Sequence, residues 1–143
     1  MSVKFYKCET CGNVAVMVCD SGVRPSCCGE SMTELQANLQ DGVGEKHLPV
    51  ETMTSRNVIQ VNVGLEEHPM TQEHYIQLIA VETENGLLIR YLKPGDKPEA
   101  RFSMGFAKAV AIYAYCNVHG LWKTAAPAAC VKTGCSRTQK RTL

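Results

Sequence analysis

Residues 57–63 set the pattern for most of the chain. From Ile59 onward apolar and polar positions alternate with a period of two, Ile59, Val61 and Val63 against Gln60 and Asn62, as in a half-buried strand, and Gly64 ends the run. Residues 76–83 predict a second strand, closed by Glu84, Asn85 and Gly86. Asn-Gly is strong hairpin chemistry because both residues tolerate positive φ. Residues 87–92 follow as the partner, residues 100–104 as a further strand, and residues 108–115 as the last. Short strands separated by turn signals, with no long alternating helices, predict a mainly β chain with an immunoglobulin-like β-sandwich. Nearer the start, Val14, Val16 and Val18 alternate with Ala15 and Met17 in a short strand between two cysteine pairs.

Composition fits this picture. The chain has 143 residues, enough for one domain, or for one domain plus a metal-stapled module. Its 45% hydrophobic and 20% charged residues are ordinary for a globular protein. No apolar run approaches the roughly 18 residues a bilayer span needs, so no membrane partner is expected. Residues 1–7 lack the apolar core of a signal peptide, which gives a cytoplasmic expectation. The net charge is +1, but all 14 acidic residues fall within residues 1–99, while residues 100–143 hold 7 of the 15 Lys and Arg. With one Trp, three Phe and no basic stretch interleaved with aromatics, nucleic-acid binding is not expected.

The eight cysteines carry more information. Without an export signal, metal ligation is favoured over disulfides. Cys8-x-x-Cys11 is followed by Gly12, and adjacent Cys27 and Cys28 by Gly29, the second pair lying 16 residues after the first. Two such knuckles close one tetrahedral four-thiolate site. A redox dithiol and a structural zinc site are the alternatives. Adjacent cysteines reach one metal only with a distorted local angle, which suits a redox-cycling iron better than a purely structural zinc. A closed site of this kind has no vacancy for substrate; with iron its work would be one-electron transfer, together with stapling of a segment too short for its own core. Cys19 is the wrong distance from either knuckle to displace a ligand.

In residues 115–123, Cys116 and His119 stand three residues apart, ahead of Gly120. A thiolate and an imidazole at that spacing can bind one transition metal. The remaining ligands must come from upstream, and the chain's other three histidines are His47, His68 and His74. Each alone reads as a surface histidine. Glu45, Lys46 and His47 form a run that offers a carboxylate, an ammonium and an imidazole side by side. His68 and His74 share the connection between two strands, where a loop can aim both rings at one point.

These motifs carry a resemblance. The two cysteine pairs are similar to the desulforedoxin module, which holds one iron by four cysteinates. The Glu-Lys-His-x-Pro run at 45–49, the His-Pro-Met at 68–70, the Glu-His-Tyr-Ile at 73–76 and the Cys-x-x-His at 116–119 resemble the superoxide reductases of the two-iron, desulfoferrodoxin type. The match runs in order over residues 1 to about 125. The resemblance implies a first iron on Cys8, Cys11, Cys27 and Cys28. It implies a catalytic iron on His47, His68, His74, His119 and Cys116, with the position opposite the sulfur open. The implied reaction is one-electron reduction of superoxide to hydrogen peroxide, with Lys46 drawing in the anion and Glu45 binding the oxidised iron. It further implies a rubredoxin-type electron donor and a homodimer. The alternatives are an electron carrier without superoxide chemistry and a zinc-stapled interaction module. A dismutase fits less well, because thiolate ligation favours one-way reduction.

The expected organisation is a four-cysteine module over residues 1–36, the sandwich over 37–126 and a basic tail over 127–143. The tail holds Cys130 and Cys135, which could close a labile disulfide.

Overall fold

In the computed structural model, residues 3–39, 47–55 and 57–126 are described. Among them there is no helix, and the chain is a succession of antiparallel strands. The first five are short: β1 (Lys4–Lys7), β2 (Val14–Met17), β3 (Ser26–Cys27), β4 (Glu30–Ser31) and β5 (Thr33–Glu34). They form a three-stranded sheet ordered β2-β1-β5 and a small β3-β4 hairpin. The longer strands are β6 (Pro49–Ser55), β7 (Val58–Val63), β8 (Ile76–Thr83), β9 (Gly86–Tyr91), β10 (Glu99–Ser103), β11 (Ala109–Cys116) and β12 (Gly120–Ala125). They form a sandwich of a β10-β7-β6 sheet and a β12-β11-β8-β9 sheet.

The burial of each strand explains its sequence. β7 buries Ile59, Val61 and Val63 against the facing sheet and leaves its polar positions outward, so it alternates. β11 reads Ala-Val-Ala-Ile-Tyr-Ala-Tyr-Cys and is buried from Ala111 to Cys116. The reason is that its sheet is covered on both faces. On the inner face Ile112, Ala114 and Cys116 pack with Ile79, Val81, Val61 and Phe102 in the sandwich core. On the outer face Ala111, Tyr113 and Tyr115 pack with Phe5 of β1 and Leu121 of β12. Phe5 and Tyr113 meet with ring centroids 5.3 Å apart. The cysteine module therefore lies on the sandwich and completes the outer face of its larger sheet.

Three local features differ from the sequence expectation. The β8–β9 ladder closes at the Thr83–Gly86 pair, so the two-residue loop is Glu84–Asn85 and Gly86 already belongs to β9. Asn85 does not take positive φ; Cys28 is the only non-glycine that does so among the described residues. β6 was not expected after Pro49; the proline occupies the first residue of the strand, where a missing N–H is tolerated. β12 was not expected either, because residues 120–125 read as the end of a ligand motif.

The strands β1 to β5 end at Glu34. From there the chain joins the sandwich: Asn38 N–H donates to Leu121 O at 2.9 Å and Lys123 N–H donates to Asn38 O at 2.9 Å, so Asn38 pairs alongside Trp122. Glu45, Lys46 and the tail from 127 onward, with Cys130 and Cys135, lie outside the described residues.

Candidate metal centres

Two clusters of metal-ligating side chains stand at different places in the fold. In each, one ligand atom per residue can be chosen so that all lie within 4.8 Å of one another.

The first cluster is Cys8, Cys11, Cys27 and Cys28. Cys8 N–H donates to Asn13 O and Gly12 N–H to Cys8 O, both at 2.9 Å, which curls the first knuckle under its two sulfurs. The second knuckle is the β3–β4 hairpin. Cys27 pairs with Glu30, leaving Cys28 and Gly29 as a two-residue loop with φ of 53° and 81°. Positive φ at both central positions is the primed turn that matches strand twist. At Cys28, which has a Cβ, that conformation is strained, and such strain gathers at functional sites. It is how adjacent cysteines turn towards one point. Cys11 Sγ lies 3.6 Å from Cys27 Sγ, and Cys27 Sγ lies 3.9 Å from Cys28 Sγ. Backbone N–H groups of the first knuckle, led by that of Cys11, bring the Cys8 thiol down to about 7. The neighbouring sulfurs of Cys11, Cys27 and Cys8 push Cys28 up to about 12. Four thiols this crowded resist joint ionisation, and a cation among them removes that resistance. Cys19 is exposed and belongs to neither cluster.

The second cluster is His47, His68, His74, Cys116 and His119, at one end of the sandwich. Three segments deliver it. His47 immediately precedes β6, where Gly64 N–H donates to Leu48 O at 2.9 Å and Pro49 pairs with Val63. His68 and His74 lie on the connection between β7 and β8. Cys116 ends β11, and His119 lies in the hairpin to β12, which closes with Cys116 opposite Gly120. Gly120 has φ of 81°, a conformation that lets a three-residue hairpin loop close.

The ligand atoms are turned inward. His68 is 2% exposed; its Nδ1 lies 2.6 Å from Pro69 O, which makes Nδ1 the protonated nitrogen and leaves Nε2 as a lone-pair donor. The Nε2 atoms of His68 and His74 are buried without a hydrogen-bond partner. His47 Nε2 and His119 Nδ1 approach to 2.8 Å, and Cys116 Sγ lies 3.9 Å from that same Nδ1. Burial pulls His68 down to about 4 and also lowers His74, so both rings are neutral near pH 7. Burial raises the Cys116 thiol, opposed by the N–H groups of His119 and Val118; that of His119 donates to Sγ at 3.4 Å. Orphaned buried nitrogens cost free energy unless something accepts their lone pairs. A transition-metal cation meets that need, and a mixed imidazole and thiolate set suits iron.

Two side chains inside residues 115–123 support the cluster without being ligands. The Trp122 ring stacks on His47, centroids 4.6 Å apart and planes 17° from parallel. Asn117 bonds to the segment that carries His74. Neither has a ligand signal in the sequence, because each acts on a residue more than 40 positions away.

The protein-family model described as Desulfoferrodoxin matches residues 39–125, which span the whole second cluster. The chain belongs to the desulfoferrodoxin family. It is 41% identical to the desulfoferrodoxin of Nitratidesulfovibrio vulgaris over 123 residues, covering 86% of this chain and 96% of that one. It is also 41% identical to the desulfoferrodoxin of Desulfarculus baarsii over 122 residues, covering 85% and 94%. Among solved structures it is similar to the superoxide reductase from Treponema pallidum, with a TM-score of 0.72 and 27% identity over 86% of this chain and 97% of that one. Family and fold agree with the expected β-sandwich behind a four-cysteine module. No helix among the described residues is long and apolar enough to cross a membrane.

Proposed function

We propose that this desulfoferrodoxin-family chain is a superoxide reductase, converting superoxide, one electron and two protons into hydrogen peroxide. The reaction centre is the set His47, His68, His74, His119 and Cys116. The observation that carries this reading is the convergence of five donors from three distant segments, two with buried, unpartnered nitrogens. Names of similar proteins support the substrate: relatives that match most of this chain include a superoxide reductase.

A ferrous ion in this set supplies the electron and the site at which superoxide reacts. The chain's own groups do the rest. Pro69 O fixes the tautomer of His68 through Nδ1, so that Nε2 faces the other donors. The N–H of His119 stabilises the thiolate of Cys116 in surroundings that otherwise favour the thiol. Lys46, next to His47 in sequence, would attract the superoxide anion, and Glu45 would be a ligand available to the oxidised iron. The four-cysteine set would hold the first iron and staple the module, and one-electron transfer is the work open to a closed four-thiolate iron.

The chain is organised as residues 1–36, 37–126 and 127–143, receives electrons from a small rubredoxin-type protein, works as a homodimer and acts in the cytoplasm.

Anaerobic metal quantitation followed by superoxide titration with a reductant present tests the reading. It predicts two irons per chain and one peroxide formed per superoxide consumed, with no oxygen released. Zinc in place of iron, or oxygen evolution at the dismutation ratio, overturns it.

A further inference from the structure

His74 sits on a loop, yet its Nε2 must be held to within a fraction of an ångström for metal binding. Its own loop supplies one restraint: His74 N–H donates to Thr71 Oγ1 at 3.1 Å, and Thr71 N–H donates to His74 O at 3.0 Å. That closes the turn on itself and does not tie it to the other ligands.

Asn117 makes that tie. Its Oδ1 accepts from Tyr75 N–H at 2.9 Å, and its Nδ2 donates to Glu73 O at 2.9 Å. Its backbone N–H also donates to Tyr75 O at 3.2 Å. The residues on either side of His74 are thus gripped by one side chain, which follows Cys116 directly and stands two residues before His119. The β11–β8 ladder has an irregularity between Tyr115 and Cys116, where regular pairing ends at Cys116 opposite Ile76. Beyond it the backbone keeps one bond, Asn117 N–H to Tyr75 O, and the Asn117 side-chain Oδ1 takes the place of the backbone carbonyl as acceptor for Tyr75 N–H. An amide presents an acceptor and a donor side by side on a short stem, and the two facing groups fix which is which. Aspartate lacks the donor and serine lacks the reach.

We propose that Asn117 is a positioning residue that locks His74 onto the Cys116–His119 pair, acting through the backbone of residues 73 and 75. The inference rests on the five-donor centre proposed above, and it assigns to Asn117 the role of setting that centre's affinity for metal.

The test is cobalt(II) binding by the full chain, followed at the thiolate absorption that Cys116→Ser removes. The absorption that survives in Cys116→Ser reports the four-cysteine set. Asn117→Ala should weaken cobalt binding at the first signal by about 10–100-fold, the usual effect of removing an outer hydrogen-bond partner. The four-cysteine signal should not move. In a His74→Ala background, Asn117→Ala should add less than about 2-fold, because the residue through which it acts is already gone. In a His47→Ala background it should keep its full effect. A general loss of stability would weaken both backgrounds alike, and that result overturns the proposal, as does unchanged affinity in Asn117→Ala. Should Asn117→Ala lose the four-cysteine signal as well, Asn117→Asp, which keeps the bond from Tyr75, carries the same comparison. If the unmodified chain shows no absorption that Cys116→Ser removes, the five-donor centre itself fails and the role of Asn117 falls with it.

Discussion

Stripped of metal, the second cluster should make the protein acid-labile well above the range where carboxylates titrate. His68 is 2% exposed, and burial holds it at about 4 against 6.5 for an ordinary histidine. Above pH 6.5 the ring is neutral in both folded and unfolded chains and adds no pH dependence. Below pH 6.5 the unfolded chain takes up a proton that the folded chain refuses, so stability falls as pH drops from 6.5 towards 4. Linkage over that interval gives a loss of about 2 kcal/mol by pH 5 and about 3 kcal/mol by pH 4. His74, also lowered by burial, adds in the same direction. Urea unfolding of metal-free protein between pH 7.5 and 5, read by circular dichroism, measures this, because ordinary carboxylates are still mostly ionised there. The His68→Gln variant should lose about 2 kcal/mol less than the parent chain over that range. Iron-loaded protein should lose stability at least as steeply, since metal-bound imidazoles refuse the proton in the folded chain while the unfolded chain takes it up. Equal pH slopes for the parent and His68→Gln would refute the assignment of a buried, neutral ring.

Further predictions concern the flanks of the site and the core. Lys46→Ala should lower the second-order rate with superoxide by up to about 10-fold and flatten its dependence on ionic strength, as pulse radiolysis at two salt concentrations would register. Glu45→Ala should alter the visible spectrum of the oxidised protein while barely changing the initial rate; an unchanged spectrum removes Glu45 from the site. Trp122→Ala takes away the surface stacked on His47 and should weaken cobalt binding at the five-donor set, with Trp122→Phe restoring most of it. Ile112→Ala empties a fully buried position between the two sheets and should cost about 2–5 kcal/mol in urea unfolding.

How much of this was legible in the sequence depended on what each residue faces. β7 could be read from its alternation because one of its faces packs on the core and the other is wet. β11 could be located but not oriented. Its apolar run is continuous because Phe5 and the rest of the module cover the outer face, and a covering layer from the other end of the chain leaves no periodicity. β6 was hidden by Pro49 and by a run of polar residues, and β12 by the ligand motif that it overlaps. The Asn85–Gly86 signal found the right hairpin but placed the turn one residue late, because the ladder closes on Gly86. Among the ligands, spacing alone made the four-cysteine cluster and the Cys116–His119 pair visible. His47, His68 and His74 could be joined to that pair only through family resemblance, since nothing local distinguishes them from surface histidines. Asn117 and Trp122 stood in plain view, but their partners, at 73–75 and 47, lie across the fold.

The most direct measurement is anomalous diffraction at the iron edge from crystals of iron-loaded protein. Two peaks per chain are predicted, one among the sulfurs of Cys8, Cys11, Cys27 and Cys28, the other in contact with His47, His68, His74, His119 and Cys116 together. A second peak lying elsewhere, or bound to the end of the sandwich without the sulfur of Cys116 or without one of the four imidazoles, would contradict the account.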